Sequence, residues 1–354
     1  MRKLALLVGT LLLMLVLGEL ALRVLWRNPF ASESPDLLLT LRWQHNLTDR
    51  LVDRSVLHLD PPKVRFRTDA RGFIEPVARV SGPEFTLVFQ GGSTTECLVV
   101  QEDLRWPNLV PVQLEPMGFR VNALNAGKSG NTAHDSLVNL VELIGSSRPD
   151  VVLLMNAVND VGLLAEYGYA RHGSNHDGWR VGLRWAGMSL SSHSALAGLV
   201  RRALDFPAQN DLAGVRSEAG KLAGQPDPLP YVARVRAWVR TARAFGIEPV
   251  LITEPLSSMR NQYTPPWTDA GALALFNDRV RAIGVEEGAS VIDLAALMQR
   301  ELSVRKPEEL YYDGLHVNDD GSRLYARLVA QELAREVLPR VRSRAGYSAP
   351  QTAR

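Results

Sequence analysis

The chain has 354 residues, enough for one α/β domain with an insertion and a tail. Apolar residues make up 46%, which supports a buried core, and the net charge of +2 leaves no basic footprint for nucleic acid. A single cysteine, Cys97, excludes a disulfide framework, a CxxC redox pair and a cysteine zinc cluster.

Arg2 and Lys3 precede an apolar run over residues 4–18, followed by Glu19, Arg23, Trp26 and Arg27. A charged start and a short apolar stretch fit a signal h-region, but Glu19-Leu20-Ala21 is a poor cleavage site. Read as one helix, residues 4–26 reach the length needed to cross a bilayer. Glu19 and Arg23 are then spaced to pair near the outer interface, with Trp26 as an interfacial anchor. Residues 1–27 are therefore expected to be a retained transmembrane signal-anchor, with the rest of the chain extracytoplasmic. A cleaved signal peptide is the alternative.

Residues 28–80, with Pro29 and Pro35, read as a linker and lead-in segment. Within it, residues 63–67 are expected to be extended and residues 68–73 to turn. A regular alternation follows. Short apolar strands are predicted at 85–89, 119–124, 150–155, 249–253 and 290–294, the third a continuous apolar run suited to a sheet buried on both faces. Helices are predicted at 106–115, with Pro107 in the first turn, and at 132–144, where Leu137, Leu140, Val141 and Ile144 share a face. Further helices are predicted at 231–245, 270–287 and 322–338, closed by Gly246, Gly288 and Pro339. This alternation implies a parallel five-stranded sheet with helices on both faces. Residues 81–340 form the expected domain, interrupted by an insertion at 161–228 with a helix near 193–204, and 341–354 are expected to be a flexible tail.

Four short blocks fall where loops converge at the carboxyl ends of parallel strands. Gly91-Gly92-Ser93-Thr94-Thr95 follows the first strand and exposes a hydroxyl on a tight turn. The block from Asn125 to Thr132 follows the second, and Gly130 leaves a backbone N–H uncovered before a helix. Asn156-Ala157-Val158-Asn159-Asp160 follows the third, and an asparagine amide suits a developing oxyanion. In Tyr312-Asp313-Gly314-Leu315-His316, an acid three residues before a histidine can orient its ring. Each block alone has a plain structural reading: a glycine turn, a helix cap, an Asn/Asp turn, a capping loop.

Together and in this order, the four blocks resemble the SGNH, or GDSL, hydrolases over residues 85–338 without the insertion. The resemblance implies a flavodoxin-like three-layer α/β/α fold. It assigns Ser93 as nucleophile with Asp313 and His316 as its partners, and Ser93, Gly130 and Asn159 as the oxyanion hole. Trp106-Pro107 also resembles a pairing in the family's first helix. Two positions depart from the pattern. Gly92 stands where the name motif has Asp, and Val158 replaces a glycine often found before the asparagine.

The implied chemistry is two-step acyl transfer, which requires no metal or organic cofactor. The expected function is a serine-dependent carboxylic-ester hydrolase acting on an O-acyl group, acetyl among them, of a cell-surface polysaccharide or lipid. O-acyl transfer to an exported glycan and a non-catalytic glycan-binding or assembly role are the alternatives. The expected partners are an ester or O-acylated glycan, the membrane through the N-terminal helix, and proteins of polysaccharide synthesis or export; no nucleic acid is expected. Cys97 reads as a small buried hydrophobe near Ser93. His172 and His176-Asp177 stand in a glycine-rich loop with no partner carboxylate cluster, which argues against a metal site, and His134 reads as a solvated helix position. Trp179, Trp185, Tyr263 and Trp267 either stack on a substrate or pack under loops. The insertion is expected to set substrate choice, because loops on a rigid scaffold carry specificity.

Overall fold

The computed structural model describes residues 2–26, 28, 46–48, 50–78, 80–167, 186–187, 189–205, 227–264 and 268–344. Pro29, Pro35, His172, His176, Asp177, Trp179, Trp185, Trp267 and the segment 173–178 lie outside them.

Helix α1 (Arg2–Leu25) is a continuous apolar helix. Within it, Leu6–Leu25 has the length and composition to cross a membrane, a test a signal sequence also passes. A two-stranded antiparallel ribbon follows, β1 (Arg50–Asp53) against β2 (Lys63–Phe66). The central sheet contains β3 (Ile74–Ala78), β4 (Phe85–Gly91), β5 (Val121–Asn125), β6 (Val151–Met155), β7 (Glu248–Ile252) and β8 (Ser290–Ile292). Its order is β3-β5-β4-β6-β7-β8. The five predicted strands are present and parallel, and the sheet is six-stranded because β3 adds antiparallel to β5 at one edge, with a register shift. Pro76 lies inside β3, which suits an edge strand and masks the pattern in the sequence.

Both faces of the sheet are covered, because alternate strand residues point to opposite sides. Leu87 and Phe89 pack with Trp106, Leu114, Tyr325 and Leu328, from α3 (Trp106–Leu114) and a late helix, Asp319–Glu332. Val88, Val152 and Leu154 pack with Leu140, Trp238 and Phe276 on the other face. Those residues come from α4 (Ala133–Ser147) and from helices Leu229–Ala244 and Ala270–Glu287. The capping chemistry agrees with the positions. Thr132 and Asp135 form a capping box on α4, and Gly288 closes Ala270–Glu287 in a left-handed conformation.

In chain order the helices are α2 (Ser93–Glu96), α3, α4, α5 (Val158–Tyr167), α6 (Ala195–Asp205), α7 (Leu229–Ala244), α8 (Ala270–Glu287), α9 (Leu294–Leu302), α10 (Pro307–Leu310), α11 (Asp319–Glu332) and α12 (Leu338–Arg344). Three expectations change. Helix α5 begins at Val158 and runs to Tyr167, so the chain from 161 continues the strand–helix rhythm before it departs. Helix α12 carries order to Arg344, where a tail was expected from 341, and the Arg342 guanidinium reaches Glu84. The lead-in is not a bare linker. Val52, Val64, Phe66 and Ile74 form an apolar cluster with Val99 of the main domain. Arg54, fully buried, donates to both carboxylate oxygens of Asp319 at 3.0 Å.

Candidate active site

The sheet order explains the convergence of the motif blocks. Strand β4 lies between β5 and β6, so the loops that leave β5 and β6 flank the turn that leaves β4. Gly91 is level with Met155, and Phe89 with Asn125. Ser93 opens the short helix α2 and is half-buried. Trp106 Nε1–H donates to the Thr94 carbonyl at 3.0 Å, pinning that helix from the core.

The structure brings Ser93, His316 and Asp313 into one hydrogen-bonded chain. Ser93 Oγ is 2.7 Å from His316 Nε2, and His316 Nδ1 is 2.7 Å from Asp313 Oδ2. The other carboxylate oxygen of Asp313 accepts from the backbone N–H groups of Leu315 (2.7 Å) and His316 (2.6 Å), which fixes the acid while it orients the ring. The Tyr312 ring stacks on the imidazole at 5.5 Å between centroids and 6° between planes. Burial opposes a charge on His316, but the Asp313 carboxylate and its hydrogen bond, with Glu254 and Glu96 beyond, hold its pKa above the ordinary 6.5.

Gly130 has a φ of +85°, a left-handed conformation in which a side chain is strained. The Asn159 amide donates to the Asn131 carbonyl at 2.9 Å, which locks its orientation. It also lies against the nucleophile turn, because a Cβ placed on Gly92 would sit 2.5 Å from Asn159 Nδ2. The glycine in place of the motif's Asp therefore makes room for this amide. Asp160 accepts from the Ala133 N–H at 3.0 Å, so the second and third blocks brace one another despite Val158.

Two buried acids outside the motifs complete the frame. Glu254, just past β7, accepts from Thr94 Oγ1 at 2.6 Å and from the Val158 N–H at 2.8 Å. It thus joins the neighbour of Ser93 to the neighbour of Asn159. Glu96 accepts from Ser129 Oγ beside Gly130. Burial pushes both carboxyls above their usual range, against these hydrogen bonds. Sequence reasoning missed both; the available signal for Glu254 was its place at the carboxyl end of a parallel strand. Cys97 is buried, donates weakly to the Thr94 carbonyl, and has its thiol pushed up to about 12 by burial.

A cavity of about 10 Å³ opens beside the nucleophile, lined by Ser93, Thr94, Cys97, Val99, Val100, Tyr312, His316 and Val317. A larger open cleft of about 530 Å³ lies elsewhere, and none of the three chain residues lines it. Its arginines include two paired at the surface, Arg305 with Glu301 and Arg323 with Asp320. Tyr263 sits in a loop where its hydroxyl donates to the Val56 carbonyl, a packing role against the lead-in. His134 is half-buried, and burial holds its pKa below the ordinary value. Among the described residues, no group of three or more His, Cys, Asp or Glu is placed to hold a metal ion.

A family model described as "GDSL-like Lipase/Acylhydrolase family" matches residues 89–324, and the chain belongs to that family. It is an SGNH-type esterase with an α/β fold and a mostly parallel central sheet. Among solved structures, the chain is similar to Axe2, an acetylxylan esterase from Geobacillus stearothermophilus, with 18% identity over 71% of this chain and 95% of that one and a TM-score of 0.46. It is also similar to LAE5, an α/β hydrolase from the metagenome of Lake Arreo, Spain, with 18% identity over 71% and 96% of the chains and a TM-score of 0.45. No curated protein matches significantly.

Proposed function

We propose that the protein is a membrane-anchored, extracytoplasmic O-acetyl esterase acting on a carbohydrate or lipid acetyl ester. The observation that carries this reading is the unbroken chain from Ser93 Oγ through His316 to Asp313. His316 Nε2 removes the Ser93 proton as Oγ attacks the ester carbonyl. The imidazolium that forms is stabilised by Asp313, and Asp313 also fixes the tautomer that leaves Nε2 free to accept. The oxyanion is received by the backbone N–H groups of Ser93 and Gly130 and by the Asn159 amide. Each such donor is worth about 2.7–4 kcal/mol of transition-state stabilisation. His316 returns its proton to the leaving alcohol, and water, activated by the same ring, releases the acyl group.

The small cavity supports acetyl as the acyl group. About 10 Å³ is room for a group the size of a water molecule or a methyl. Val99, Val100 and Val317 around it are buried and apolar, so a longer chain meets packed side chains. Retention of α1 as an anchor is supported by the contacts its outer end makes with the insertion, Arg23 to the His193 carbonyl among them. The test is a series of aryl esters from acetate to octanoate, together with O-acetylated polysaccharide, assayed with the full chain in detergent. Preference for acetate with release of free acetate supports the reading. Preference for long acyl chains, or transfer of the acyl group to a sugar hydroxyl, refutes it.

A further inference from the structure

Helix α1 does not end as a free membrane helix. Its last turns dock on α6, from the insertion. Gly18, Glu19, Leu22 and Trp26 are half-buried there, and they lie on one helical face. On the other side of the contact, Ser191 and Ala195 are buried.

The contact is built on one carboxylate. Glu19 accepts from the backbone N–H groups of Ala195 at 3.0 Å and Leu196 at 2.9 Å, and from Ser194 Oγ at 2.8 Å. It therefore serves as the N-terminal cap of a helix some 175 residues away in the chain. Arg23 donates to Glu19 at 2.8 Å and, through its other nitrogen, to the His193 carbonyl at 2.8 Å. Asn28 donates to the Ser191 carbonyl at 2.7 Å.

The position of this latch fixes a depth. The apolar run before Glu19 covers residues 4–18, about 22 Å of helix at about 1.5 Å per residue. The hydrocarbon core is about 30 Å thick, so an α1 that enters it near residue 4 places Glu19 about 8 Å inside its outer boundary, with Arg23 and Trp26 reaching the interface. The α6 N-terminus, bonded to Glu19, lies at the same level. The remaining surface of α6 fits that level too. Leu199 and Val200 are exposed, as is Leu190 in the helical residues just before it, and Arg202, three residues after Leu199, is exposed at the edge of that face. Apolar residues beside an exposed cation are the pattern of a helix lying in a membrane interface.

We propose that α6 is an interfacial helix, latched by Glu19 to the outer end of α1 and resting its Leu199–Val200 face on the lipid surface. The occupant of that apolar face is the bilayer, because the N-terminus of α6 is bonded to a residue of the candidate span itself. The inference rests on the reading of α1 as a retained anchor. A signal cleaved near Ala21 would carry Glu19 away and take its acceptor from the Ala195 and Leu196 N–H groups, leaving only the Ser194 hydroxyl, which accepts from the Ala197 N–H at 3.1 Å, to cap α6.

The test uses full-length protein in vesicles of phosphatidylethanolamine and phosphatidylglycerol. An environment-sensitive fluorophore is placed on Leu199→Cys, Val200→Cys, Leu12→Cys or Val285→Cys. Cys97 is buried and its thiol is held protonated, so it stays unlabelled. Leu12 is exposed on α1 and reports the span; Val285, 85% exposed just before β8, lies outside α1 and α6 at the amino end of the parallel strands, opposite Ser93. Lipids with a nitroxide near the headgroup should quench the 199 and 200 sites, deeply placed nitroxides should quench the 12 site, and neither should quench the 285 site. Adding Glu19→Ala should abolish quenching at 199 and keep it at 12, while labelling of Ser93 by a fluorophosphonate reports that the domain remains folded. Quenching at 12 without quenching at 199 and 200 overturns the interfacial helix and leaves the anchor standing. Absence of quenching at 12 overturns the anchor and the latch together.

Discussion

Gly92→Ala separates the stability of this fold from its chemistry. The backbone at Gly92 has φ −86° and ψ −151°, which alanine adopts without strain. The added Cβ would meet Asn159 Nδ2 at 2.5 Å, about 1 Å inside ordinary van der Waals contact. The nearest backbone atom, the Asn131 carbonyl oxygen, is 3.5 Å away and need not move. The amide must retreat, and its 2.9 Å bond to the Asn131 carbonyl stretches or breaks. A misplacement of about 1 Å costs roughly 10²-fold in rate, and complete loss of the donor about 2.7–4 kcal/mol. The variant should therefore show kcat reduced by about 10²-fold with KM nearly unchanged, because the donor acts mainly on the transition state. Its melting temperature should stay within a few degrees of the parent, about 1 kcal/mol, since the displaced atom ends a flexible side chain. Ser93 should still react with a fluorophosphonate. The decisive comparison is the double variant with Asn159→Ala. If Gly92→Ala acts through the amide, the pair should be no slower than Asn159→Ala alone. A parent-like rate for Gly92→Ala, or additive losses in the pair, refutes this account of the glycine.

The remaining predictions concern the base, its frame and the acyl pocket. His316 must be neutral to accept the Ser93 proton, and its pKa is held above 6.5, so kcat/KM should fall on the acid side with a midpoint above pH 6.5. Asp313→Asn removes the charge that raises it, and the midpoint should move to lower pH as the maximal rate drops; an unmoved midpoint contradicts the assignment. By linkage, charged His316 adds stability that is full below its unfolded-state pKa and is lost as pH rises through the higher folded value, which melts over a pH series of the parent and Asp313→Asn would register. Glu254→Ala should lower kcat roughly 10- to 100-fold, matching the about 1.5–3 kcal/mol of a hydrogen bond to a charged group. Glu254→Gln should recover most of that rate, yet lower the acid midpoint; failure of Gln to rescue, with a parent-like melt, counts against a positioning role. Val99→Ala should raise the butyrate-to-acetate ratio of kcat/KM about tenfold, since one methylene in a pocket is worth about 1–3 kcal/mol; an unchanged ratio in folded protein places the acyl group elsewhere.

The parallel strands and the helices that cover them were legible because each carries a local signature. Residues 151–155 are an unbroken apolar run, and 270–287 ends at a glycine in the left-handed conformation. Ser93, Asp313 and His316 were legible as a pattern of short blocks, although no local rule places residues 93 and 316 at 2.7 Å. What escaped has no local signature. The polar strand β1 and the proline-bearing β3 are defined by their partners, Lys63–Phe66 and β5. Helix α5 was hidden because Asn156 to Asp160 read as a turn, while Glu254 supplies the acceptor for the Val158 N–H at its start. Glu254 and Glu96 escaped because a buried acid is recognised by what donates to it, and those donors lie 160 and 33 residues away. The Glu19 latch joins two segments that each look complete in sequence, an apolar span and the helix near 193–204.

The most direct measurement of the central claim is the turnover of an activated acetyl ester by purified, folded Ser93→Ala protein. Loss of the nucleophile should reduce kcat by about 10⁶-fold, and adding His316→Ala should change it little further, because the members of such a triad act as one unit. A Ser93→Ala protein that hydrolyses the ester as fast as the parent would contradict the assignment of the site.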